Sequence, residues 1–311
     1  MLGLDEPRGR NGIHPKTPSK IEVQVLQLLI SGVSLGCVYG LIALGFVLIY
    51  RTTEMVNFAQ GDLMMLGAFL AYSLIELAGM PFSIGLLGTV VAMALLGLVL
   101  ERLVLRPMIG EPPFAVLMIT IGLGLILRTV TVAVWGAETR TIETPMSGGV
   151  LRAEGLSIGY ENLAVIGGTA LCCVTLYLFL RLTRLGIAMQ ASSQNQKAAY
   201  LVGIPVRRMV ALAWAVSAAI AGLAGVLVAP ISLIDPMMGF LGIKAFAAAI
   251  VGGFGSLAGA MAGGLLIGVV EQLAGLYLPP SLAGVSGYGL LLVILLARPE
   301  GLFPTLQAKK V

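Results

Sequence analysis

The sequence predicts an all-α polytopic membrane protein with about eight transmembrane segments, one of them glycine-broken or re-entrant. Three observations predict it. Of 311 residues, 58% are hydrophobic and only 11% charged, and the mean hydropathy is +0.99. Soluble domains carry roughly 25% charged residues, so the solvent for this much apolar surface is lipid. Uncharged stretches of membrane length recur, Val23–Tyr50 with 28 residues and Leu77–Leu100 with 24, where a spanning helix needs roughly 20. These runs are continuous Leu, Ala, Val and Gly rather than alternating, which excludes a transmembrane β-barrel.

The segments follow in order. Residues 1–22 are polar, with proline and glycine, and lack the apolar core and cleavage site of a signal peptide. A disordered tail is expected there, then a single membrane domain over 23–300 and a second tail over 301–311. Val25–Tyr50 is the first predicted helix, Leu63–Ala78 a short second one, and Gly79-Met80-Pro81 a turn. Ile84–Leu100 is the third, followed by a charged elbow, Glu101–Pro113. Phe114–Trp135 is the fourth; its Arg128 reads as an interface anchor that snorkels, the alternative being a substrate contact. Gly136–Glu161 is a long polar loop, Leu163–Leu180 the fifth helix, Arg181–Arg208 a basic helical segment and Met209–Ala229 the sixth helix. Pro230–Gly242 is a loop. Lys244–Val270 is apolar but interrupted at Gly252–Ser256, which predicts either two helices with a tight turn or a re-entrant pair. Leu273–Leu278 ends at two prolines, and Gly284–Ala297 is the last helix.

The chain has 41 glycines. Membrane helices use small residues to approach one another, because lipid gives no hydrophobic push between them. Gly32, Gly36 and Gly40 form one such stripe; Gly259, Gly263, Gly264 and Gly268 form another. Both are expected to be packing faces.

Orientation follows from the basic residues. Arg181, Arg184, Lys197, Arg207 and Arg208 mark their segment as cytoplasmic. Counting crossings, Gly136–Glu161 is external, the stretch Arg51–Asp62 internal and the N-terminus external. The basic N-terminal tail argues the other way.

Catalytic chemistry is excluded by what is absent from the sequence. The single histidine, His14, lies in the polar tail, so no histidine-based site is expected. Cys37, Cys172 and Cys173 sit in apolar segments without metal-type spacing, so no metal or cofactor is expected. No glycine-rich loop is followed by Lys-Ser or Lys-Thr, so the chain carries no phosphate-cradling P-loop of its own.

Two stretches remain. In VNFAQGDLMMLGAFL (Val56–Leu70), Asn57, Gln60 and Asp62 crowd the junction of two apolar segments, beside Gly61. Polar groups there are costly unless they line water or contact protein. They are candidates for the translocation pathway or its gate; the alternative is a helix start capped by Asn57 or Asp62. The second stretch, GIAMQASSQNQKAAYLVGIP (Gly186–Pro205), is polar, Ala-rich and of helical spacing, and ends at Gly203 and Pro205. It is either a lever on which a partner docks or a plain surface helix.

NFAQGDLMMLGAF, following GLIALGFVLIYRTTEMV, together with the terminal RPEGLF, resembles the branched-chain amino acid ABC importer permeases of the LivH type, over about Gly32 to Phe303. The second stretch resembles that family's coupling segment, A-x-x-x-N-x-x-A-A-x-x-x-G-I, at Ala191, Asn195, Ala198, Ala199, Gly203 and Ile204. Lys197 stands where an acid often does, which bears on the docking register. The resemblance implies a second permease of similar fold (LivM type), two ATP-binding subunits (LivG and LivF type) that hydrolyse ATP, and a periplasmic amino-acid-binding protein. It implies leucine, isoleucine and valine as substrates, though related permeases carry other amino acids, amides or urea. The competing reading is a self-sufficient secondary transporter or channel, for which the glycine break at Gly252–Ser256 is the best feature.

Overall fold

The computed structural model describes residues 20–108, 110–153 and 156–303. The expected disordered tail thus lies outside the described residues up to position 19, as does His14, while 20–22 already belong to the first helix. The tail over 301–311 lies outside them beyond Phe303.

The helices are α1 (Lys20–Thr53), α2 (Gln60–Tyr72), α3 (Phe82–Leu100), α4 (Pro113–Trp135), α5 (Tyr160–Leu182), α6 (Arg184–Gln194), α7 (Gln196–Leu201), α8 (Val206–Val228), α9 (Leu241–Gly252), α10 (Leu257–Tyr277), α11 (Pro280–Ala283) and α12 (Ser286–Ala297). The second expected helix is therefore shorter, and continues as a π-helical stretch, Ser73–Leu77. The third runs on through another, Glu101–Leu105, into the elbow. The long polar loop holds an antiparallel hairpin, β1 (Val150–Ala153) with β2 (Leu156–Gly159). Among the described residues, six helices are long and apolar enough to cross a membrane, and Pro236–Gly252 and Ser286–Ala297 are shorter apolar helices. With α2 this makes an all-α polytopic membrane fold.

The central seam is α1 against α10. A Cβ on Gly36 would stand 2.7 Å from the Cα of Leu265, and one on Gly32 2.9 Å from the Cα of Val269. Gly264 and Gly268 in turn lie on the backbone of Gly40 and Gly36. The two glycine stripes therefore interlock, backbone on backbone, and dispersion between close-packed atoms holds them. Gly259 and Gly263 face the other way, onto Gly252 and Ala248 of α9. Beside the seam Tyr39 donates to Glu271 Oε2 at 3.0 Å, and Lys244 pairs with the same carboxylate, joining α1, α10 and α9 through one hydroxyl and one ion pair.

The glycine break is a turn between two helices. Gly253 has φ +97°, a left-handed value that glycine takes without strain. The carbonyls at the end of α9 are capped by the RPEGLF stretch: Leu302 N–H donates to Val251 O and Phe303 N–H to Gly252 O, at 2.9 and 3.2 Å. This turn stands at the same end of the bundle as Tyr50, whose ring meets Phe254 at 5.0 Å.

Sidedness is consistent with the crossing count. Gln27, Ile30 and Ser31, near the start of α1, share a small cavity with Ser157 and Asn162 of the hairpin end. At the other end of α1, Thr52 O accepts from Gln196 Nε2 of the basic segment at 2.7 Å. The acidic loop and the start of α1 lie at one end of the bundle, and the basic segment at the other.

Candidate functional site

The Asn57–Asp62 joint is built where α1 ends. Glu54 takes φ +57° and turns the chain out of the helix. Asn57 Oδ1 accepts from Ala59 N–H at 3.1 Å, a local turn of the kind Asn makes readily. Its Nδ2 donates to Gln60 Oε1 at 3.3 Å. Gln60 Nε2 donates to Ser217 O at 3.3 Å, while Ser217 Oγ lies 3.1 Å from Gln60 Oε1 and 3.0 Å from Gly45 O. Asn57, Gln60 and Ser217 are fully buried, and the network satisfies each of their side chains.

Asp62 does not cap α2, which has no side-chain cap bond at its start. Its Oδ1 accepts from Arg128 Nη2 at 2.8 Å and from Arg128 Nε at 3.2 Å. The Arg128 guanidinium stands 4.3 Å above the ring of Phe240, a cation–π geometry. The reading of Arg128 as an interface anchor is therefore corrected. An unpaired charge at this depth would be costly, and a buried carboxylate lies within reach of the guanidinium. Room for the pair comes from glycine. A Cβ on Gly124 or Gly239 would collide with the Asp62 carboxylate. Gly61 abuts the backbone of Gly239 and Gly242, which carry the chain into α9.

The joint sits deeper than an inner mouth. Gly124 and Ser217 are each eleven residues into helices of 23 residues, or about 16 Å along spans of about 34 Å. The starts of α2 and α9 meet near half depth, one approached from the basic end and the other from the acidic-loop end. Phe58, Phe246, Phe254 and Tyr50 form an aromatic column from the joint to the glycine turn, with successive centroids 5.0, 5.5 and 5.0 Å apart.

The Gly186–Pro205 stretch is two short helices joined at Asn195. Thr183 Oγ1 caps α6 by accepting from Gly186 N–H at 2.9 Å. Asn195 Oδ1 caps α7 by accepting from Ala198 N–H at 3.0 Å. Gly203, at φ +85°, ends α7 and lets Ile204 N–H return to Ala199 O at 2.9 Å. Of the candidate residues, Ala191 is half-buried, Asn195 and Ala198 are exposed, and Ala199 is buried within the chain. The exposed apolar surface is instead Tyr200, Leu201 and Val202, at 73%, 84% and 77%. Gln190 Nε2 ties α6 to Leu180 O at 2.8 Å, and Gln196 ties α7 to Thr52 O, two residues before the turn at Glu54.

The sequence reading missed Arg128, Ser217 and Gln196 as partners. Arg128 carried a usable signal, a lone cation well inside an apolar helix. Ser217 and Gln196 carried none, because each acts by reaching a backbone carbonyl distant in sequence.

A bundle with interlocked glycine seams, a buried polar joint at half depth and a pair of short helices at the basic end defines a multi-pass membrane transport subunit. The chain belongs to the family described as branched-chain amino acid transport system / permease component, whose model matches residues 28–295. It is 32% identical to the high-affinity branched-chain amino acid transport system permease protein LivH of Escherichia coli K12, over 92% of this chain and 97% of that one. It is 34% identical to BraD of Pseudomonas aeruginosa, a permease protein of the same description, over 92% and 98%. A probable LivH of Methanocaldococcus jannaschii is 33% identical over 84% and 87%. The chain is accordingly a multi-pass protein of the inner (plasma) membrane and a transport permease.

Proposed function

We propose that this chain is the permease subunit of an ATP-driven importer of leucine, isoleucine and valine, forming the translocation pathway with a second permease. Two ATP-binding subunits and an external amino-acid-binding protein complete the assembly in this reading. The substrate class comes from the names of relatives that align over nearly the whole chain. One observation carries the mechanism: the α6–α7 pair is bonded through Gln196 to Thr52, at the entrance to the joint. Motion imposed on α7 by a partner is delivered to the backbone that leads to Asn57, Gln60, Gly61 and Asp62. These four residues form the pathway or its gate, and the Asp62–Arg128 pair holds it closed at half depth.

The self-sufficient transporter loses its main support, because the glycine break is a capped turn at one end of the bundle rather than an unwound ion site.

The docking contact falls on the exposed face of α7, at Asn195, Ala198 and the Tyr200–Val202 corner, with Ala191, Ala199 and Gly203 shaping it from behind. A bulky side chain in such a contact costs about 1–3 kcal/mol, and about 1.4 kcal/mol is a factor of ten in association. Ala198→Trp is expected to reduce co-purification of the ATP-binding subunits about tenfold and uptake with it, while the permease alone keeps its thermal unfolding midpoint. Undiminished co-purification and uptake would reduce α7 to a surface helix.

A further inference from the structure

A cavity of about 1170 Å³ opens at the basic end of the bundle, between the elbow and the start of α8. Its walls divide by chemistry. Val210 forms the deep part, with the almost fully buried Leu105 and Trp214 behind it. Trp214 is eight residues into α8, about 12 Å towards the membrane interior from the helix start. Lys197, Arg207 and Arg208 form the outer part. All three are exposed, and none has a carboxylate within ion-pair distance among the described residues. The one carboxylate in the wall, Glu101, is buried and already neutralised by Arg106 at 2.8 Å. The cavity is thus apolar at depth and positively charged at the rim, at the end where α8, a helix long and apolar enough to cross a membrane, begins.

We propose that this cavity is a binding site for one anionic phospholipid of the cytoplasmic leaflet. The phosphate lies against Lys197, Arg207 and Arg208, and an acyl chain lies against Leu105, Val210 and Trp214. Charge complementarity favours lipid because the cations sit at a membrane-depth opening that continues into an apolar slot, where a soluble anion would leave the slot unfilled. A lipid wedged between α7 and the elbow would also brace the segment that the proposed function assigns to coupling, but binding itself does not depend on that assignment.

The chain has two tryptophans; Trp135 is the last residue of α4, whereas Trp214 lies inside α8. Trp135→Phe therefore leaves Trp214 as a single reporter inside the cavity. The variant is reconstituted in phosphatidylcholine bilayers holding a small mole fraction of phosphatidylglycerol with brominated chains, which quench indole fluorescence on contact. Quenching is expected to exceed severalfold that produced by brominated phosphatidylcholine at the same mole fraction. Replacing Lys197, Arg207 and Arg208 by Gln should remove the excess, about fivefold in lipid affinity per cation. Millimolar inorganic phosphate should not displace the brominated lipid. Equal quenching by the two lipids, excess quenching that survives the triple replacement, or displacement by inorganic phosphate would each overturn the proposal. Thermal unfolding of the triple variant checks that the fold persists, and co-purification of ATP-binding subunits, measured separately, reports on coupling rather than on the lipid.

Discussion

Two glycine-bearing breaks interrupt this bundle, at Gly61 and at Gly252–Ser256, and they are opposites. The first lies near half depth, has its left-handed residue at Glu54 rather than at its glycine, and surrounds itself with an ion pair, an amide network and a serine. The second lies at one end, uses Gly253 at φ +97°, and is closed by two backbone hydrogen bonds from Leu302 and Phe303. At Gly61 the glycine serves close approach of two backbones; at Gly253 it serves a turn. Depth decides which polar groups the chain must supply. At the end of the bundle backbone caps suffice, whereas at half depth every freed donor and acceptor needs a partner from another helix.

The comparison is tested most severely at Gly61. A Cβ there would meet the Gly242 Cα at 2.8 Å and N at 3.0 Å, with backbone on the opposing side that has nowhere to move. Gly61→Leu is expected to cost more than about 3 kcal/mol and to leave no monodisperse permease on size exclusion. Recovery of folded Gly61→Leu at wild-type yield would mean that α2 and α9 are not locked at that contact.

The ion pair comes next. Arg128→Gln leaves a buried carboxylate without its cation, which costs about 3 kcal/mol. Replacing both partners, Asp62→Asn with Arg128→Gln, should regain part of that stability in thermal unfolding while uptake stays impaired. A purely additive double variant would return Arg128 to the role of an independent interface anchor.

Much of this was legible in the sequence, and the reason is periodicity. The Gly32–Gly36–Gly40 stripe and its partner at Gly264 and Gly268 announce a packing face, because three small residues at four-residue spacing have one physical use in lipid. Asn57, Gln60 and Asp62 stood out as polar groups where polar groups are expensive. Their depth was not legible, since Glu54 turns the chain back into the bundle by one left-handed residue that no residue type announces. Nor was Ala199's burial, because the tight turn at Gly203 folds α7 onto its own chain. The start of α9 was hidden for a similar reason. Pro236–Phe240 reads as loop, yet forms a 3-10 turn that delivers Gly239 to the Asp62 carboxylate.

The smallest effect belongs to the second break. Gly253→Ala places a side chain at positive φ, worth about 1–2 kcal/mol, and brings a Cβ to 2.9 Å from Phe303 O. A lower unfolding midpoint with normal uptake per folded molecule is expected. Loss of uptake at unchanged stability would show that this turn moves during transport and is more than a cap.

The interlocked seam between α1 and α10 sets an order on assembly. Some two hundred residues separate the two stripes, so α1 enters the bilayer long before its main partner is made. In water such a wait would expose a sticky surface. In lipid a glycine stripe is only a groove filled by acyl chains, with no penalty that drives it to a wrong partner. The first helix can therefore stand alone in the membrane, and the arrival of α10 exchanges lipid for backbone along its length.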